Sequence, residues 1–165
     1  MKKTLAVLNR LVEEGLIASY ALGGAFALLF YTEPALTYDL DVFIFLPHAG
    51  RKTIIDLGPI YQHLKKQGYR EQQEHILIEG VPVQLIPAYN PLVEEAVKKA
   101  ETKKYEGVGT RVLKLEHLLA IMIQTGRSKD KERIAQCLPG SKINRKELTR
   151  ILYRHQLKSK WEKCF

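Results

Sequence analysis

Cysteine is almost missing from this chain: of 165 residues only Cys137 and Cys164 carry a thiol. Two cysteines so placed make neither a disulfide framework nor a metal-ligand spacing, and a reducing, cytoplasmic setting is expected. Long apolar runs are missing too. The stretch Met1-Lys2-Lys3 followed by Thr4 to Leu8 is cut by Asn9 and Arg10 before it reaches the length of a secretory signal. The uncharged run 15–32 approaches the roughly 18 residues of a membrane span, but it contains Gly23-Gly24, Ser19, Tyr20, Tyr31 and Thr32. A buried strand followed by a buried helix is the expectation, with no membrane contact. The five histidines (48, 63, 75, 117 and 155) show no metal-ligand spacing, and no nucleophilic Ser or Cys motif occurs. His117, in an apolar stretch, is expected to be a packing histidine.

What is present is the composition of a globular protein, 45% hydrophobic and 27% charged, in a chain long enough to bury a core without disulfides. The formal charge of +8 is uneven: residues 1–110 carry 12 basic and 13 acidic side chains, and residues 111–165 carry 14 and 5. An excess confined to the last third suits an acidic partner such as nucleic acid. It equally suits a solvated helical face.

The hydrophobic pattern predicts a mixed order of elements. Leu5, Leu8, Leu11, Val12 and Leu16 recur at helical spacing up to Gly15. A strand over 17–22 leads through Gly23-Gly24 into a helix over 25–30, stopped by Glu33-Pro34. A Val, Phe and Ile-rich strand over 40–46 follows, then a helix over about 53–66. Strands over 69–78 and 81–86 flank the turn Glu79-Gly80, and a helix over 91–99 is capped by Asn90. After a short strand over 111–114 the chain reads as helix in three pieces, broken near Gly126 and at Pro139-Gly140. The expected fold class is α/β (α+β): a small mixed sheet flanked by helices over 1–110, with a basic helical segment over 111–165 packed on it.

Asp39 and Asp41 open the strand over 40–46, and two-residue spacing turns both carboxylates to one face. Paired carboxylates stay ionised most easily around a cation, and hard oxygen ligands suit Mg²⁺. Gly23-Gly24, between strand and helix, lets a phosphate approach the backbone near free helix-start amides. Each feature alone has a plain structural reading, a polar strand start or a tight turn. Together they set a phosphate cradle beside metal ligands.

The stretch Tyr20-Ala21-Leu22-Gly23-Gly24-Ala25, with Thr37-Tyr38-Asp39-Leu40-Asp41-Val42, resembles the signature of the DNA polymerase β-like nucleotidyltransferases. Leu115 to Ala120 through Gly126-Arg127-Ser128-Lys129-Asp130 resembles a second element, found in the abortive-infection, toxin-like branch. The resemblance spans roughly residues 15–138. It implies Mg²⁺ at Asp39 and Asp41, and a nucleoside triphosphate bound by Gly23, Gly24, Thr37, Arg127 and Lys129. It further implies transfer of a nucleotidyl group to an acceptor: tRNA or other RNA met through 111–165, a protein or a small molecule. An antitoxin or other protein partner is also implied. Three positions depart from the family pattern: Gln84 where a third carboxylate is usual, Ala35 where an arginine is, and Met122 where a lysine is. Those departures support one alternative, a relative that binds nucleotide or a partner without transferring; the basic last third supports a second, a nucleic-acid-binding protein acting through its C-terminal helices, with the Gly and Asp motifs structural.

Overall fold

Apolar density decides which strands take the centre of the sheet. The computed structural model describes residues 1–32, 37–47 and 55–165. Its strands are β1 (Ser19–Leu22), β2 (Leu40–Phe45), β3 (Arg70–Gln72), β4 (His75–Ile78), β5 (Val81–Pro87), β6 (Glu101–Tyr105) and β7 (Val108–Val112). They form one sheet in the order β3-β4-β5-β2-β1-β7-β6. The middle belongs to β5, β2 and β1, whose Val83, Leu85, Val42, Ile44, Ala21 and Leu22 are buried. The edges are the wholly exposed Arg-Glu-Gln of β3 and the lysine-bearing β6. Charged edge strands discourage pairing with another sheet. β2 runs parallel to β5 and β1 to β7, and the other neighbours are antiparallel. This mixed sheet, flanked by helices, is the expected α/β class.

The helices are α1 (Lys2–Glu13), α2 (Gly24–Leu28), α3 (Gly58–Lys66), α4 (Pro91–Lys98), α5 (Leu115–Thr125), α6 (Ser128–Gly140), α7 (Arg145–Arg154) and α8 (Lys158–Glu162). Along α1, Leu5, Leu8 and Leu11 are buried on one face, and Asn9 ties the helix to the sheet. The Asn9 amide donates to the Gly109 carbonyl at 2.9 Å and accepts from the Tyr20 hydroxyl at 2.7 Å. α4 begins as its sequence requires, with Pro91 in the first turn and the Asn90 side chain accepting from the Val93 amide at 2.9 Å. α5 is buried from Leu115 to Ile123, the pattern of a helix enclosed on all sides. It packs against α2, α4, α6, α7 and α8, so the basic C-terminal helices surround it. No helix among the described residues is long and apolar enough to cross a membrane. The uncharged run over 15–32 divides into β1 and α2 at its glycine pair.

Several elements differ from expectation for local reasons. The run over 69–78 is two strands, because Gln73 takes a left-handed φ of 55° and reverses the chain. The strand expected over 111–114 is instead the second arm of a hairpin, β6–β7, turning at Glu106 and Gly107 with φ of 47° and 83°. Lys103 and Lys104 hid the first arm, since β6 alternates half-buried with exposed residues and offers no apolar run. β7 carries the sheet past residue 110 to Val112, and the helical segment begins at Leu115. α3 begins at Gly58, whose amide donates to Asp56 Oδ1 at 2.8 Å; the start expected at 53 lies outside the described residues. α2 ends at Leu28, and the Glu33-Pro34 stop also lies outside them. The C-terminal segment has four helices, not three, because Gln156 at φ 58° separates α7 from α8.

One carboxylate joins sheet-side and C-terminal helices. Glu95 of α4 accepts from Lys99 Nζ at 2.7 Å, from His155 Nε2 at 2.8 Å and from Arg154. Buried His117 of α5 lies 3.5 Å from it. Burial by itself would raise the Glu95 carboxyl; the bonds from Arg154, Lys99 and His155 outweigh that and hold it well below the usual range. The charged form is therefore the one the fold favours. Its stabilisation is present above about pH 4.3, the ordinary Glu value, and is lost as pH falls below that. Glu95→Gln is expected to cost about 1–2 kcal/mol at pH 7, as for hydrogen bonds to a charged group. At this chain length that is roughly a 2–8 °C drop in Tm. Thermal melts from pH 7 to pH 3 should show the gap between the two proteins narrowing with acid.

Candidate active site

The register of β2 and β5 places Asp41 directly beside Gln84. Strand alternation turns Asp41, Phe43, Gln84 and Ile86 to the face that meets α5. There they line a cleft of about 230 Å³ with Leu118, Ile121 and Met122. Gly24 and Tyr89 border it, and the start of α6 supplies Arg127, Asp130 and Arg133. One wall is thus acidic and the facing wall cationic, over an apolar floor.

The two glycines are fixed by two different neighbours. Gly24 has φ +57°, and a Cβ there would collide with Asp41 Oδ2. A Cβ at Gly23 would collide with the Phe43 ring. Gly24 therefore adjoins the Asp41 carboxylate, while Gly23, outside the cleft lining, caps α2 and lets Phe43 pack. With five residues, α2 is a short helix.

The carboxylates differ in surroundings. Burial raises the Asp41 carboxyl and the Asp39 charge raises it further; Arg127, Arg133 and Lys129 pull the other way without prevailing. Asp39 is more exposed, and the Thr37 hydroxyl donates to its Oδ1 at 2.9 Å. Thr37 thus orients Asp39. On the opposite wall, Arg127 donates from Nε to Asp130 Oδ2 at 2.8 Å and from a terminal nitrogen to Oδ1 at 3.3 Å. Asp130 is 1% exposed, a buried anchor for an exposed arginine. Arg133 lies 3.9 Å from the same carboxylate. Lys129 is exposed and does not line the cleft, although its charge reaches Asp41.

Arg133 and Tyr89 are cleft residues that the sequence reading did not single out. The signal for Arg133 was its position one turn after Asp130, which sets the two on one helix face. Tyr89 follows β5 in a loop and gave no signal. Glu79, the carboxylate of the β4–β5 turn, accepts from the Tyr69 hydroxyl at 3.0 Å, outside the cleft. Ala35 lies outside the described residues, and Met122 lines the cleft.

A magnesium ion fits one part of this site. The Asp41 charge is disfavoured by burial and by Asp39, and a cation would relieve both. Mg²⁺ commonly binds one or two carboxylates and completes its shell with phosphate and water. Among the described residues no three His, Cys, Asp or Glu side chains converge to hold an ion unaided.

No protein-family model and no curated protein sequence matches the chain. Solved structures do. An antigenic nucleotidyltransferase-like protein from Paracoccidioides brasiliensis superposes with a TM-score of 0.58 at 18% identity, over 98% of this chain and 93% of that one. ANT(2")-Ia in complex with adenylyl-2"-tobramycin superposes with a TM-score of 0.56 at 13% identity, over 98% of this chain and 99% of that one. The chain has a nucleotidyltransferase fold. On this nucleotidyltransferase fold the cleft falls between the sheet face carrying Asp41 and the two helices α5 and α6.

Two substitutions should move stability in opposite directions. Gly24→Ala adds a left-handed alanine, about 1–2 kcal/mol, and forces Asp41 to shift. Gly15→Ala supplies the control, since Gly15 has φ +72° with nothing near its would-be Cβ. Gly24→Ala should lower Tm more than Gly15→Ala does. Asp41→Asn should raise it at neutral pH. Asp41 is raised in the fold, so its protonated form is favoured there and the ionised form costs stability as pH rises through its pKa. The advantage of Asp41→Asn should therefore shrink as pH is lowered, in melts of metal-free protein.

Proposed function

We infer that this protein binds a nucleoside triphosphate with Mg²⁺ and transfers its nucleotidyl group to a hydroxyl acceptor. The observation that carries this reading is the Asp41 carboxylate set against Gly24, facing Arg127 and Arg133 across one cleft. Asp39 and Asp41 would hold the ion, which when bound neutralises phosphate charge and activates the attacking oxygen. Gly24, with no side chain, lets the Asp41 carboxylate lie against its backbone. Arg127 and Arg133 line the same cleft as cations for phosphate, and Arg127 is already oriented by Asp130. Gly23 would keep the Gly24 turn in place, and exposed Lys129 would meet the triphosphate tail or the acceptor.

The acceptor is proposed as a small molecule or RNA. The ANT(2")-Ia structure, solved with adenylyl-2"-tobramycin, supports a small molecule as a use to which this fold is put. The RNA reading rests on the charge of residues 111–165, and the fold narrows it. Arg154 is engaged by Glu95, Arg150 lies 3.5 Å from Glu147 and Lys158 3.5 Å from Glu162. Among the described residues Arg145 and Lys146 of α7 have no such carboxylate, so an RNA contact would centre on them. A toxin-like role with an antitoxin partner is proposed on the resemblance of 115–130 alone.

Gln84 favours a second reading, nucleotide binding without transfer. It sits beside Asp41 in register, where a third carboxylate would add negative charge. An amide oxygen can ligate a cation but adds none. Incubating the protein with Mg²⁺ and each labelled nucleoside triphosphate, in the presence of total RNA, protein or small-molecule extract, tests transfer and identifies the acceptor. Asp41→Asn should weaken Mg²⁺-dependent nucleotide binding at least tenfold, about 1.4 kcal/mol. Gln84→Asp should raise transfer about tenfold, one catalytic increment of about 1.4 kcal/mol. Nucleotide affinity indifferent to Asp41 would overturn the site; brisk wild-type transfer with Gln84→Asp neutral would overturn the role given to Gln84.

A further inference from the structure

Four histidines lie among the described residues. His63 Nε2 lies 2.9 Å from Glu14. His155 and His117 lie 2.8 and 3.5 Å from Glu95, inside the network that joins α4 to the C-terminal helices. Two of the four hold buried ring nitrogens without a hydrogen bond, both nitrogens of His117 in α5 and Nε2 of His75, although buried polar atoms are bonded in the great majority of cases. Of these two residues, His75 is the one that approaches the Asp pair. The carboxylate that His75 approaches is Asp39 Oδ2, at 3.9 Å, two residues before the cleft-lining Asp41.

Sheet register explains how His75 arrives there. β4 pairs with β5 as Ile76↔Val83, Leu77↔Pro82 and Ile78↔Val81. One further step along that ladder sets His75 beside Gln84, which itself pairs with Asp41. Neighbouring residues in register share a face. Asp41, Gln84 and His75 thus form a row across β2, β5 and β4, with Asp39 just ahead of Asp41 on its own chain. Where a third carboxylate is missing, the row continues one strand further to an imidazole nitrogen.

The 3.9 Å gap is informative. It exceeds the roughly 3.2 Å limit of a hydrogen bond, so the pair does not satisfy itself. Two donors each about 2.1 Å from one ion can stand up to roughly 4.2 Å apart, so the same gap can hold a cation. Thr37 engages the other oxygen of Asp39, Oδ1, leaving Oδ2 turned toward His75. Asp41 is not within the same reach, in keeping with the lack of a three-residue cluster among the described residues.

We propose that His75 is a metal-binding residue beside this cleft, sharing a divalent cation with Asp39 and giving the site a preference for first-row transition ions over Mg²⁺. The preference follows from donor chemistry. Mg²⁺ favours oxygen ligands in near-octahedral geometry, whereas imidazole suits transition ions. A neutral imidazole nitrogen adds a donor and, like the Gln84 amide oxygen, no charge. Water and substrate phosphate would complete the shell. The proposal rests on the nucleotidyltransferase reading only in taking Asp39 as a metal-holding carboxylate.

The probe is Mn²⁺, the weakest of the transition series and so a conservative choice. Full-length wild type, His75→Ala and His75→Gln are each titrated with Mn²⁺ by electron paramagnetic resonance, with Mg²⁺ in competition. Mg²⁺-dependent nucleotide binding is measured beside them. Mn²⁺ bound to wild type should outcompete Mg²⁺ at least tenfold and show coupling to an imidazole nitrogen. His75→Ala and His75→Gln should both lose that coupling, and Mn²⁺ affinity should fall roughly 10–100-fold, at least the cost of disturbing a metal ligand's outer partner. Mg²⁺ affinity should change little. Bound Mn²⁺ without nitrogen coupling, or coupling that survives His75→Ala, overturns the role of His75 and leaves the nucleotidyltransferase reading standing. Wild type that binds Mg²⁺ and nucleotide but not Mn²⁺ does the same. Wild type that binds neither ion nor nucleotide overturns both. His75 is a quarter exposed at a strand end, so the variants should fold, and matching melts with wild type check that they do.

Discussion

An uncompensated carboxylate is the constraint around which this cleft is arranged. Asp41 sits on a central strand, disfavoured as an anion by its burial and by Asp39, and the nearby cations do not cancel that cost. A protein selected only for stability would place Asn or an apolar residue there. Instead Gly24 takes a left-handed conformation and gives up its side chain so that Asp41 can stay. Strain and buried charge of this kind cluster at functional sites.

The facing wall is built by the opposite strategy. Arg127 is exposed, and a free arginine in water would sample many rotamers. Asp130, almost wholly buried, accepts two bonds from it and holds the guanidinium at the rim of the cleft. Arg133, one turn further, shares the same anchor. One wall thus carries negative charge and the other positive charge, and the metal–phosphate complex proposed above would meet both.

The C-terminal helices hold the cleft in shape. α5 forms its floor and is also the hub of the last third of the chain, so the nine-tenths-buried Glu116, accepting from the Asn144 amide at 2.8 Å, fixes the entry to α7. Glu95 ties α7 back to α4. Arg154, one of the basic residues that suggested a nucleic-acid surface, is engaged in that contact. The charge count was right about quantity and silent about use, because a sum does not distinguish Arg154 at a carboxylate from Lys146 in solvent.

Local signals determined a good deal. Helical spacing in α1, the Asn90-Pro91 start of α4 and the Gly126 end of α5 depend on neighbours within a few residues, and all were legible. The Asp39–Asp41 pair was expected on one strand face, but β2 begins at Leu40 and, of the two, Asp41 alone lines the cleft. The β6–β7 hairpin was not legible, because its first arm is polar and gains its place by pairing. Nor was the division of labour between the glycines, which depends on Phe43 and Asp41 arriving from another strand. Arg133 and Tyr89 enter the cleft only because α6 and the β5 loop close over the sheet. His75 is the clearest case: its spacing from other candidate ligands along the chain is meaningless, and two ladders of strand register bring it beside Asp39. Sequence determined which candidate groups this chain carries, through short-range periodicity and residue type. Tertiary structure decided which groups meet, because sheet order joins residues whose separation along the chain holds no record of it.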